Sequence, residues 1–238
     1  MEFEGIVIRR TTYKEGAAMI TVLTKDRIRT FLAKGVLKMT SKNAPSVNLF
    51  TKSKFQVFHG QDGDWLRVGE IIESYPNINS NLEKLAILDF ISELTNTLLD
   101  SKDAGRTYHL LEKSLESLNG DFSPWTVLAI YFAHVIETAG YGLTIHECSK
   151  CGNPHGIVSL SYKDGGFICE KCFDETRHVK TPVRKMKMLR YITKVDSDLI
   201  EKVTFGKDEC KELIFELADF LDWTSQIKFK SLTLLSQI

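Results

Sequence analysis

The stretch CSKCGNPHGIVSLSYKDGGFICEKC, residues 148–172, carries two Cys-x-x-Cys pairs with 17 residues between them. Each pair places two thiolates on one tight turn, and this spacing is typical of a structural zinc site. Four sulfur ligands complete the tetrahedron of Zn²⁺ and leave no position for water, which a catalytic zinc requires. We therefore predict a structural zinc ion held by Cys148, Cys151, Cys169 and Cys172.

Two disulfides are the alternative use of these cysteines. Residues 1–4 (MEFE) are acidic where the first region of a secretory signal peptide is basic, so we expect a reducing cytoplasm, which favours metal over disulfides. His146 and His155 lie beside the pairs and are alternative ligands, although four cysteines suffice. Cys210 falls on an apolar helical stripe and is predicted to be core.

The composition, 43% hydrophobic and 26% charged over 238 residues, is that of a soluble globular protein with enough length for two domains. No apolar run approaches the roughly 20 residues that span a bilayer, so we predict no membrane role. The net charge of zero results from cancellation between segments. Residues 1–80 contain 12 Lys/Arg and 8 Asp/Glu, and residues 147–195 contain 10 and 5. These two basic segments are candidate polyanion-binding surfaces.

The first 75 residues alternate between apolar and polar side chains in short runs separated by turn residues. This period predicts five β-strands, at about 3–10, 17–24, 28–34, 53–60 and 64–75. A hairpin turn is expected at residues 61–63, and a long polar connection runs from Lys38 to Lys52. Five short strands with one long connection predict a small closed barrel of the OB type, with an SH3-like barrel as the alternative.

After Pro76 the apolar period changes to about 3.6, which predicts helices. A capping box at residues 80–83 opens the first helix, and the helix that begins at Ser123-Pro124 is expected to end at Gly140. Further helices are predicted near 104–118, after Thr181-Pro182 and over 207–227.

These patterns together predict an α+β protein with two domains. An OB-fold barrel domain occupies residues 1–76. A mainly helical domain occupies residues 77–238 and carries the zinc module at about 146–176.

Motifs of several enzyme classes are absent from the sequence. No Walker loop occurs, and the run Gly140-Tyr141-Gly142 lacks the third glycine of a dinucleotide fingerprint, so no nucleotide cofactor is predicted. The zinc deaminase signature and the Gly-x-Ser-x-Gly elbow are also missing. We therefore expect a protein that binds its partners without catalysing a reaction.

Basic residues are concentrated around the predicted barrel, because residues 1–54 contain 11 Lys/Arg against four acidic residues. OB barrels often track single strands through phosphate contacts. A solubilising surface is the alternative. Arg29 and Phe31 share one face of the third strand, and Phe31 is predicted to be barrel core rather than a group that stacks on a base. The candidate DNA-binding residues are Arg9, Arg29, Lys34, Lys38 and Lys42.

A second basic cluster follows the zinc module, at residues 177–194. Arg184, Lys187 and Arg190 fall at helical spacing and are the candidate partner-binding residues. They would contact either phosphates or an acidic peptide whose apolar end fills a groove. A solvated helix face is the alternative.

Nearly the whole chain resembles the RecO family of bacterial DNA repair proteins. Weak similarities lie at residues 5–9, 33–35 and 73–75 of the predicted barrel. The specific similarity is in the zinc module, at residues 148–152 (CSKCG) and 166–172 (GFICEKC).

The resemblance implies an OB-fold domain, a helical domain and a role in DNA repair and recombination in the bacterial cytoplasm, at the nucleoid. It implies a recombination mediator that binds single- and double-stranded DNA and anneals complementary strands. With RecR, such a protein loads RecA onto DNA coated by single-strand-binding protein. The acidic tail of the latter is expected to dock on the helical domain.

Two other functions stay open on the residues alone. The first is a zinc-ribbon adaptor that binds protein and no DNA. The second is a metal hydrolase, which would need an open position on the metal.

Overall fold

A computed structural model of the chain describes residues 1–61 and 63–238, with Ser80 described by its backbone alone. The predicted OB barrel is confirmed. The strands close in the order β1-β2-β3-β5-β4, with β4 also paired to β1 and with β3 and β5 parallel at Leu32 and Trp65. The five strands are β1 (Glu2–Lys14), β2 (Ala17–Leu23), β3 (Ile28–Ala33), β4 (Lys52–Gly60) and β5 (Gly63–Glu73). Asp62, in the predicted 61–63 turn, lies outside the described residues.

The barrel interior is filled by the inward side chains of its strands. Phe31 is 1% exposed, and its ring centroid lies 5.2 Å from that of Phe55, which confirms its prediction as core. The long connection after β3 contains a short 3-10 turn (Pro45–Val47), and Val47 is buried in the same interior.

Six helices follow the barrel: α1 (Leu82–Leu98), α2 (Ala104–Asn119), α3 (Pro124–Thr138), α4 (Val183–Lys194), α5 (Lys207–Ser225) and the short α6 (Leu232–Leu235). The N-cap of α1 is Asn81, whose side-chain oxygen accepts a hydrogen bond from the Lys84 amide at 3.1 Å. The prediction placed this cap one residue earlier. Helix α3 ends before Gly140, which adopts the expected positive φ of 87°.

Helix α3 is the centre of the helical domain. It is apolar around its whole circumference, and such a helix must be covered on every side. Helices α1, α2, α4 and α5 all pack against it. Between α3 and α4 lies a two-stranded hairpin, β6 (Ile157–Ser161) and β7 (Gly166–Cys169), which carries the second cysteine pair.

The barrel and the helices share one apolar core. Ile6, Ile8 and Leu23 of the barrel are fully buried in the cluster that contains the helix residues. The Ser92 hydroxyl of α1 donates to the Ile8 carbonyl at 2.9 Å. Lys52 of β4 pairs with Glu112 of α2 at 2.6 Å. The helical domain therefore positions the barrel through both apolar and polar contacts.

Phe90→Ala tests whether this shared core controls stability. Phe90 is fully buried, and its ring lies edge-on to Phe132 and Phe229 with centroid distances of 5.3 Å to both. We expect the free energy of unfolding, measured by urea denaturation, to fall by about 3–5 kcal/mol because the deletion leaves a cavity. Phe58→Ala is the matched control, since that ring is 51% exposed. Equal losses in both variants would contradict this packing.

Candidate metal centre and nucleic-acid interface

The four predicted metal ligands come together. The Sγ atoms of Cys148, Cys151, Cys169 and Cys172 all lie within 4.8 Å of one another. Those of Cys151 and Cys169 are 3.7 Å apart, far beyond the roughly 2.05 Å of a disulfide. A tetrahedron with metal–sulfur bonds of about 2.3 Å has sulfur–sulfur edges of about 3.8 Å. The cluster therefore has the donor set and the size for a four-coordinate metal.

Tight backbone turns orient the sulfurs. The Gly152 amide donates to the Cys148 carbonyl at 2.8 Å, and Gly152 has a φ of 71°, which suits glycine. The Cys172 amide donates to the Cys169 carbonyl at 3.0 Å. The first cysteine of each pair is buried, whereas Cys151 is exposed. A bound metal would therefore be shielded by protein on the side of Cys148 and Cys169 and nearest to solvent at the Cys151 sulfur.

The thiols of Cys148 and Cys172 differ in their pKa. Burial raises the pKa of Cys148, but hydrogen bonds from the backbone amides of Cys169, Lys150 and Cys151 outweigh it and lower that pKa to about 6. The neighbouring Cys151 sulfur and burial raise the pKa of Cys172 to about 12. The Cys148 and Cys172 thiols therefore do not ionise together by themselves, and a bound divalent cation would supply the charge that holds them as thiolates.

Arg190 fastens to α4 the cysteine-containing segment of residues 145–172, which we call the metal module. Its Nε donates to the Ile145 carbonyl at 2.8 Å, and its guanidinium lies 5.0 Å from the centroid of the Phe167 ring. The buried His178 imidazole adds a second attachment, since its Nε2 lies 2.8 Å from Oδ2 of Asp164 in the hairpin turn. Arg190 thus braces the module from a half-buried position.

The two other predicted partner-binding residues are exposed. Arg184 is paired with Glu209 of α5, with its Nη2 2.8 Å from a carboxylate oxygen, and its side chain is 76% exposed. Lys187 is exposed on the next turn of α4. Beside Arg184, a groove of about 490 Å³ between the hairpin, α4 and α5 is lined by Leu160, Tyr162, Val179, Lys180, Met188 and Glu216, among others.

Lys34 and Lys38 lie at one end of the barrel. Three parts of the chain meet there: the β1–β2 turn, the start of the connection after β3, and the end of β4 with the start of β5. They meet because Ala18 pairs with Ala33 and because β5 begins alongside the end of β3. We call this end, residues 13–16, 34–38, 60–61 and 63–65, the barrel rim. The Lys38 side chain passes over the β1–β2 turn. A Cβ atom added at Gly16 of that turn would lie 3.3 Å from Cε of Lys38.

The three other predicted DNA-binding residues lie elsewhere. Lys42 is exposed farther along the connection. Arg9 lines a groove with Asp89 and Glu93 of α1. Arg29 is at the opposite end of the barrel, with its guanidinium 4.7 Å from the centroid of the Phe3 ring. The structure thus gathers two of the five residues at the rim, together with Lys14, an exposed residue of the wider basic segment.

Sequence reasoning missed a row on the outside of the barrel in which four of five side chains are apolar. The strand register places Thr11, Met19, Leu32, Trp65 and Phe58 side by side across all five strands, and we call these five residues the outer row. The alternation of side chains along each strand could have predicted that each of these residues faces outward. Their alignment in one row could not be predicted, because it depends on the pairing of β3 with β5. Lys34 extends over this row, with its Nζ 3.2 Å from the centroid of the Trp65 ring.

The comparisons with known proteins agree on one family. The family model described as "Recombination protein O N terminal" matches residues 1–75, and that described as "Recombination protein O C terminal" matches residues 79–233. The chain belongs to the RecO family. This RecO-family chain therefore combines the family's barrel and helical regions with a four-cysteine cluster that has the size for a metal ion.

Curated relatives extend over nearly the same length. The DNA repair protein RecO of Oceanobacillus iheyensis is 28% identical over 244 residues, covering 100% of this chain and 93% of the relative. That of Listeria innocua is 28% identical over 232 residues, covering 96% and 91%. That of Halalkalibacterium halodurans is 25% identical over 238 residues, covering 99% and 94%.

Among the described residues, no helix combines the length and the apolar character that a bilayer crossing requires.

Cys169→Ser tests the metal centre. We expect it to lower both the metal bound per chain, measured by plasma emission spectrometry, and the unfolding temperature, because forming such a site is worth roughly 10–16 kcal/mol in small peptides. Cys210→Ser is the matched control, since Cys210 is equally buried but packs against α3, with its Sγ 3.9 Å from the Thr126 hydroxyl. Full metal content in Cys169→Ser would remove this cysteine from the ligand set.

Proposed function

We propose that the protein is a DNA-binding recombination mediator in DNA repair and that the barrel rim binds the phosphate backbone. The observation that supports this most directly is the convergence of Lys14, Lys34 and Lys38 on one end of an OB barrel. Two nearby acidic side chains are Glu15 and Asp64, and the Asp64 carboxylate lies 2.8 Å from Nδ1 of His59. A basic rim of this kind suits a polyanion and carries little sequence information.

The metal is proposed to be zinc with a structural role. A set of four thiolates suits Zn²⁺, which accepts a tetrahedron of soft ligands. Its four ligands would bind the loop after α3 to the β6–β7 hairpin. This filled coordination supports a protein without catalytic turnover, because a metal hydrolase needs an open position.

The partners are proposed from the family. We infer that the protein acts with RecR to load RecA onto DNA coated by single-strand-binding protein and that it anneals complementary strands. The helical domain is the proposed docking site for the acidic tail of single-strand-binding protein. Of the three candidate residues, Arg184 and Lys187 are exposed, whereas Arg190 fastens the metal module.

Replacing Lys34 and Lys38 together with Glu tests DNA binding by the rim. If about four phosphates are neutralised, the log-log salt slope for a single strand is near −3, so wild-type affinity should fall roughly 50-fold between about 50 and 200 mM salt. The double variant should bind all sequences at least about 10-fold more weakly and with a shallower slope. Fluorescence anisotropy with labelled single strands measures both quantities.

The matched control replaces Lys102 and Lys202 with Glu. Both lysines are exposed on the helical domain, and the change in net charge is the same. An equal loss of affinity in both double variants would show a general charge effect and would remove the rim from the site. No binding by the wild type at about 50 mM salt would favour the protein-only adaptor.

Replacing Arg184 and Lys187 with Glu tests the tail-docking surface. We expect an acidic tail peptide to bind about 5-fold or more weakly to this variant and to lose affinity with salt, since exposed charges are screened. Isothermal titration calorimetry measures this. Unchanged binding would place the tail elsewhere on the helical domain. Arg190 is left intact because its replacement would also disturb the metal module.

A further inference from the structure

The Trp65 indole rests against the β4–β5 hairpin at the barrel rim. A Cβ on Gly60 would lie 3.0 Å from the indole Nε1 and 3.2 Å from Cδ1, so glycine at this position lets the ring edge rest on the backbone of the β4–β5 hairpin. One face of the ring is covered by the Lys34 ammonium at 3.2 Å from the ring centroid. Lys34 is exposed and its side chain is flexible, so this cover is removable.

The surroundings of Trp65 are apolar where a barrel exterior is ordinarily polar. Trp65 is partly exposed, and its cross-strand neighbour Phe58 is 51% exposed. Met19 and Leu32 continue the outer row on the other side and are partly exposed. The fold thus presents a flat aromatic surface within an open apolar row.

The charges around this surface define the ligand that fits it. Lys34 lies directly on the ring, and Lys14 and Lys38 are exposed on the same rim. A ligand that satisfies both features carries closely spaced negative charges next to flat, unpaired rings. Single-stranded nucleic acid has this chemistry, whereas the bases of a duplex are already stacked within the helix.

We propose that Trp65 is a platform on which one unpaired base stacks, and that Lys34 leaves the ring to contact the adjacent phosphate. This inference rests on the proposed DNA binding by the rim and adds preference for single strands to it. Stacking on an aromatic ring is stronger than an exposed cation–π contact, and Lys34 keeps an anionic partner in the bound state. Replacing the Lys34 contact on the ring by a stacked base and a phosphate contact therefore favours the bound state.

The test compares two ligands, oligothymidylate and an abasic oligonucleotide of the same length, on several variants. Trp65→Ala should bind oligothymidylate about 10-fold more weakly and should bind the abasic strand as the wild type does. Trp65→Phe should retain most of the affinity because it keeps a ring. Trp223→Ala is the control, since Trp223 is 60% exposed on α5, away from the rim. Circular dichroism and metal content establish that each variant is folded.

Fluorescence provides an independent measurement. The chain has three tryptophans, and Trp125 is 1% exposed, so in Trp223→Phe the accessible emission comes from Trp65. Oligothymidylate should quench this emission, whereas the abasic strand should quench it much less. Lys34→Ala should reduce the magnitude of the salt slope by about 0.7, the value for one phosphate contact on a single strand.

The outcomes separate the two proposals. Binding of neither strand by the wild type overturns the proposed function itself. A second outcome is that the wild type binds both strands while Trp65→Ala loses the same affinity for each, or loses none. Either result leaves DNA binding in place and overturns the stacking platform. Quenching of Trp65 by an acidic peptide and not by oligothymidylate would assign the outer row to a protein partner and would also overturn it.

Discussion

Burial of helix α3 is the constraint on which the remaining architecture depends. Eleven of its residues, from Trp125 to Ile136, are buried, so the helix has no solvated face and is stable only when neighbours cover it. Four helices do so. One of them, α1, carries the barrel through Ile8, and another, α4, carries the metal module through Arg190. The orientation of both functional regions therefore follows from how α3 is enclosed.

The metal module adds a constraint that apolar packing cannot supply. Its hairpin has only nine residues in its two strands, five in β6 and four in β7, which is too little to form a core of its own. Backbone turns bring four sulfurs together, and a bound cation would hold them as thiolates. The ion pairs of Asp164 with Lys150 and His178 then connect the first cysteine pair and the segment before α4 to the hairpin turn. The proposed zinc would thus stabilise the link between α3 and α4.

The basic residues of the barrel serve different purposes according to their position. Arg29 lies against Phe3 and pairs with Asp26 at 3.4 Å, so its charge is used within the chain. Lys34 and Lys38 are exposed at the rim, and the Lys34 ammonium lies over the Trp65 ring. The rim thus combines positive charge with an aromatic surface.

Local patterns in the sequence were sufficient for the five barrel strands, the five long helices and the four cysteines that come together. Three signals carried these predictions: the alternating residues of β1 to β5, the Ser123-Pro124 start of α3 and the spacing of the cysteines. Each is a short-range signal, because it involves residues that are neighbours in the chain. Only the tertiary structure decided which basic residues act together. Arg9, Arg29 and Lys34 are equivalent as charges in the sequence, but barrel closure separates them and brings Lys34 onto Trp65, a contact between residues 31 positions apart. Such contacts depend on strand register across β3 and β5, which no local pattern of side chains encodes.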